Sequence, residues 1–194
     1  MAEINRRKML TVLGTAPVAA AVSFAPGTVQ AYIAERAQVS ATGQAYQRRF
    51  FTEREYAAVM ALADMILPRD DRSGSATESG AHEFIDYIVS VQTERQTPMR
   101  GGLVWLDSEC RGRFDKAFLE CTDAERRLVL DDIAYPARAR AEFSHGVRFF
   151  TTLRDLVATG FWSSRMGVDD LGYVGNQPAV WDGPPREVLD KLGL

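Results

Sequence analysis

The chain has 194 residues, with 23 Lys and Arg against 26 Asp and Glu, a formal net charge of −3 and 46% hydrophobic residues. Three of the basic groups, Arg6, Arg7 and Lys8, stand in the first ten positions beside the lone acid Glu3, so the remainder is more acidic still. That balance excludes an electrostatic nucleic-acid footprint, and the length suits one domain with its own core.

The apolar run Leu10 to Phe24 is shorter than the roughly 20 residues a spanning helix needs, and Gly14 and Pro17 interrupt it. Arg6, Arg7 and Lys8 form a positive leader ahead of it, and Val29-Gln30-Ala31 puts small residues at the two positions a signal peptidase reads. Residues 1–31 therefore read as a removable export signal. The stretch Asn5-Arg6-Arg7-Lys8-Met9-Leu10 resembles a twin-arginine signal, which carries folded chains across the membrane. A general secretory signal and an uncleaved amphipathic anchor are the other readings.

Residues 32–50 lack a clean apolar period and read as an extended or frayed lead-in. Thr52-Glu53-Arg54-Glu55 has the form of a capping box, and Tyr56, Val59, Met60, Ala63, Ile66 and Leu67 continue one apolar stripe until Pro68 stops it. The Gly/Ser-rich stretch between Pro68 and Gly80 predicts an exposed loop. Helical spacing resumes from Ala81 to about Arg95, and Thr97-Pro98 breaks it. A third helix is predicted from Gly102 to Leu119, and a second capping box, Thr122-Asp123-Ala124-Glu125, opens a short helix to Ile133. Residues 141–159 predict the last long helix, with Gly160 as its stop.

From Phe161 onward Gly, Pro, Asn and aromatic residues replace any helical period until the last few positions. Such a tail cannot build its own core and must lie across this domain or another subunit. The fold class is all-α: an irregular helical bundle over 51–160 with a long aperiodic C-terminal tail over 161–194.

Candidate chemistry is sparse. His82 and His145 have no neighbouring ligand at metal spacing. Asp70-Asp71 stands in a polar loop, where adjacent carboxylates are solvated, and Ser163-Ser164 lacks a histidine base. No phosphate loop, haem-attachment pattern or iron–sulfur cysteine run is present, so no catalytic, cofactor or metal residue is assigned. Cys110 and Cys121 would lie about 16 Å apart on one straight helix, whereas a disulfide needs Cα atoms within about 7 Å. Pairing therefore requires a bend between them, and two small buried core cysteines are the alternative. The aromatics of the tail, Trp162, Tyr173 and Trp181, are of the kind that anchors interfaces; packing onto the domain's own helices is the alternative.

The helix ending Ala63-Asp64-Met65-Ile66-Leu67-Pro68, the stretch Gly80-Ala81-His82-Glu83-Phe84-Ile85-Asp86, and the tail Gly160-Phe161-Trp162-Ser163-Ser164 with Leu171-Gly172-Tyr173-Val174-Gly175-Asn176 resemble the gluconate 2-dehydrogenase subunit 3 family. Trp162 departs from its relatives, which often carry Tyr or Phe there. The resemblance implies a non-catalytic small subunit of a periplasmic sugar or sugar-acid dehydrogenase, associated with the inner membrane through its complex. Its partner would be a large FAD-containing flavoprotein of the glucose–methanol–choline type, with a membrane-bound multihaem cytochrome c as a further subunit. The small subunit would escort the folded flavoprotein through the twin-arginine pore. By the same resemblance Phe161, Trp162, Gly172, Tyr173, Gly175, Asn176 and Trp181 are expected at the partner interface. The rival readings are a stand-alone periplasmic enzyme and an exported helical module for a small ligand or peptide.

Overall fold

In a computed structural model, residues 27–173, 184 and 186–193 are described, and they form eight α-helices and no strand. These are α1 (Thr28–Thr42), α2 (Glu53–Ile66), α3 (Ala81–Val91), α4 (Gln96–Phe114), α5 (Asp123–Ala134), α6 (Ser144–Trp162), α7 (Arg165–Leu171) and α8 (Arg186–Leu192). The all-α irregular bundle expected from the sequence is what the chain forms.

Both capping boxes form. Thr52 Oγ1 accepts the Glu55 N–H at 3.3 Å while the Glu55 carboxylate takes the Thr52 N–H at 2.8 Å. Thr122 and Glu125 repeat the pattern at 3.3 and 2.7 Å, which satisfies otherwise orphaned donors at each helix start. Lys116 and the Thr122 N–H together hold the Glu125 carboxyl down at about 2. Pro98 does not break a helix. It sits in the first turn of α4, where its missing N–H costs nothing.

The centre of the bundle is α6, which packs on α2, α3, α4, α5 and α7. Its inward face buries Phe149, Phe150, Leu153, Leu156, Val157 and Phe161. Gly160 is not the stop expected from the sequence, because α6 runs on through Trp162. The glycine is needed for closeness instead: a Cβ there would stand 2.9 Å from the Phe84 ring and 3.1 Å from the Ala81 Cα of α3. Gly102 on α4 has the same use against α6, since a Cβ would overlap the Phe149 ring. Gly101 beside it faces open space.

Those neighbours give a matched pair of expectations. In a helix interior Gly→Ala normally gains up to about 1 kcal/mol, but overpacking costs roughly 1–3 kcal/mol. Gly102→Ala should therefore lower the Tm by a few degrees, whereas Gly101→Ala should leave it unchanged or raise it. Thermal unfolding followed by circular dichroism distinguishes them.

Two further expectations are corrected. The lead-in is not extended throughout: residues 28–42 are helical as α1 and dock on α3. The loop between Leu67 and Gly80 is not wholly exposed, because Ser75 and Ala76 are buried. The Ala76 N–H donates to the Leu67 carbonyl at 2.9 Å, and Asp64 accepts both the backbone N–H and the hydroxyl of Thr77, at 2.8 and 2.7 Å. Buried polar backbone is tolerated here because it is paired.

Between α4 and α5 the chain does bend. Asp115, at φ 57°, ends α4 in the left-handed region, and the 3₁₀ turn Phe118–Glu120 follows. The bend brings the Cys121 thiol against Cys110, both buried and both free. Burial, then the neighbouring thiol, push the Cys110 thiol up to about 12. Alkylation needs a thiol the reagent can reach, and both are buried, so neither cysteine should take up iodoacetamide at pH 8 in the native protein. Both should label in denaturant, which mass spectrometry would read directly.

Candidate partner-docking surface

Of the expected interface residues, Phe161, Trp162, Gly172 and Tyr173 lie at the carboxyl end of the bundle, in unequal positions. Phe161 is 0% exposed and belongs to this chain's own core, which removes it from any interface. Trp162 is half-buried at the last turn of α6, its ring edge-on to Phe161 with centroids 5.6 Å apart. Its indole Nε1 is buried without a hydrogen-bond partner.

The stretch after Trp162 is not aperiodic. Ser164 caps α7, its Oγ accepting the Gly167 N–H at 3.1 Å. Gly172 closes α7 at φ 65°, with its N–H on the Asp169 carbonyl at 3.1 Å and the Tyr173 N–H on the Val168 carbonyl at 3.3 Å. This is the Schellman arrangement, which glycine makes without steric cost. It leaves Leu171 and Tyr173, on either side of the glycine, 51% and 63% exposed. Gly175, Asn176 and Trp181 lie outside the described residues.

The loop between Pro68 and Gly80, expected to be exposed, braces this ledge. Arg72 donates to the Asp170 carbonyl at 2.5 Å and lies 3.6 Å from its carboxylate, and Met166 packs over Gly74. Two exposed apolar side chains on a helix end whose backbone is already braced form a surface suited to a protein partner.

The opposite side of α3 holds a feature that sequence reasoning left without a role. Asp86 is 0% exposed in the middle of an apolar helix. Its carboxylate accepts the Tyr46 hydroxyl at 2.8 Å and the backbone N–H groups of Arg49, Phe50 and Phe51 at 2.7, 3.1 and 3.0 Å. Burial, then the hydrogen bond to Asp86, hold the Tyr46 hydroxyl far above its ordinary value, so it stays a donor. Arg100 adds a hydrogen bond to the Phe50 carbonyl at 3.1 Å. The clue was an Asp inside the run Phe84-Ile85-Asp86-Tyr87-Ile88, since charges are almost never fully buried unless paired.

His82 packs against the Tyr56 ring, and burial draws its imidazole below the ordinary value. Asp70 caps its own turn through the Arg72 and Ser73 N–H groups. Ser163 and Ser164 serve backbone carbonyls of α6. Among the described residues no three His, Cys, Asp or Glu side chains are grouped to hold a metal ion, and no helix is long and apolar enough to cross a membrane.

Comparison with curated proteins and with solved structures returned no match. The family model described as gluconate 2-dehydrogenase subunit 3 matches residues 53–183, from the start of α2 through the Leu171–Tyr173 ledge and beyond. The chain belongs to the gluconate 2-dehydrogenase subunit 3 family and is thereby a subunit of a dehydrogenase complex.

Proposed function

We propose that this chain is the non-catalytic small subunit of a periplasmic FAD-dependent sugar or sugar-acid dehydrogenase, and that it binds, stabilises and escorts the catalytic flavoprotein. The family match over residues 53–183 carries the reading. The Arg6-Arg7 leader supports export of a folded cargo. The exposed Leu171 and Tyr173 support a docking edge at the end of α7, which Trp162, Gly172 and the segment containing Gly175, Asn176 and Trp181 would extend. FAD belongs to the large subunit in this reading, and a multihaem cytochrome c at the inner membrane takes the electrons.

The physical basis of stabilisation is mass action. A subunit that binds only the folded flavoprotein shifts that protein's folding equilibrium by RT ln(1 + [L]/Kd), about 2.7 kcal/mol at a hundredfold excess over Kd. Escort follows from the same affinity, because a tight complex crosses the membrane as one body.

Fractionation of the native host tests this. With the wild-type chain, flavin-dependent dye reduction by sugars or sugar acids should appear in the periplasm. With Arg6→Lys/Arg7→Lys it should stay in the cytoplasm. A flavoprotein that reaches the periplasm without this chain contradicts the escort role.

A further inference from the structure

The helix α1 crosses the place where the export signal would be cut. Val29 and Ala31, the small residues a signal peptidase reads, lie in its first turn, and the Ala31 N–H donates to the Gly27 carbonyl at 2.8 Å. Val29 packs against the hydrophobic core. The residue just past the expected cut, Tyr32, sets its ring against α3, with centroids 5.2 Å from Phe84 and 5.3 Å from Tyr87. Its hydroxyl reaches the Gly80 carbonyl at 3.4 Å.

Charge holds the following turns down. Arg36 lies 2.8 Å from Glu83 of α3, and Glu35 pairs with Arg49. The Arg49 guanidinium covers the Tyr87 ring at 5.0 Å, while its backbone N–H is fixed by buried Asp86. The clamp on Asp86 and the docking of α1 are therefore one continuous strap along α3.

A protease takes its substrate as an extended segment, so a bond inside a docked helix is cut only from a locally opened state. We infer that docking of α1 on α3 shields the Ala31–Tyr32 bond, so that the chain, once folded, retains its signal until α1 is released. The inference rests on the export reading above. It follows that a chain folded before transport is processed slowly, and that processing reports the state of the strap.

The full-length chain, purified and folded, is incubated with signal peptidase in detergent micelles beside a synthetic peptide of residues 20–40, with cleavage followed by mass spectrometry. The peptide should be cut after Ala31 and the folded chain far more slowly. Cleavage governed by an opening equilibrium tracks the open population, so Tyr32→Ala should speed the folded chain by about tenfold or more. Glu83→Gln, which spares the core, should speed it to a lesser degree. A cut peptide with an equally fast folded chain overturns the shielding alone, as does a Tyr32→Ala rate equal to wild type. A peptide that is not cut after Ala31 overturns both the position of the signal and the inference.

Discussion

Asp86→Asn is expected to be among the most destabilising isosteric changes in this chain. The carboxylate is fully buried and meets four donors, three of them backbone N–H groups that have no other role in the segment they terminate. An Asn amide keeps the shape but turns an NH2 group toward those donors and removes the charge that strengthens each bond. Bonds to charged groups contribute roughly 1.5–3 kcal/mol each, and a buried donor left unpaired costs about 1–3 kcal/mol. A loss of about 3 kcal/mol corresponds to a Tm lower by roughly 6–12 °C in a domain of this size. Tyr46→Phe removes one of the four donors and leaves the carboxylate three partners, so about 1 kcal/mol is expected. The ordering of the two variants in thermal unfolding checks the clamp, and an Asp86→Asn protein as stable as wild type contradicts it.

Phe161→Ala and Tyr173→Ala should separate core from interface. Phe161 is 0% exposed within the α6 core and Tyr173 is 63% exposed at the end of α7. Removing a buried Phe costs about 3–5 kcal/mol through lost burial and the cavity left behind. A surface substitution normally stays within about 0.5 kcal/mol. Phe161→Ala should therefore lower the Tm by roughly 6–20 °C. Tyr173→Ala should melt as wild type yet weaken co-purification of the large subunit, because an aromatic anchor carries more than its share of binding energy. Phe161→Ala that melts normally and loses only its partner would move Phe161 back to the surface.

The sequence made the helix starts legible where side chains report them directly. Thr52 with Glu55 and Thr122 with Glu125 are local signals, and both boxes form as spaced. What it hid are features whose cause lies in another element. Gly160 reads as a stop from its own neighbours, but its role is set by Phe84 and Ala81 across the α3–α6 crossing. The helix α1 has no strong apolar stripe and is held by Tyr32, Glu35 and Arg36 against α3 and the strap, so periodicity could not reveal it. The tail aromatics looked alike in sequence, yet α6 carries Phe161 inward and leaves Trp162 half-buried. Leu171 and Tyr173, on either side of Gly172, are exposed instead.

The central claim is that this chain exists to hold a flavoprotein. It is tested most directly by expressing the chain with an affinity tag in its native host and recording the absorption spectrum of the gently eluted material. Flavin bands together with a second, larger polypeptide are the predicted result. A colourless single chain eluting under the same conditions would contradict the account.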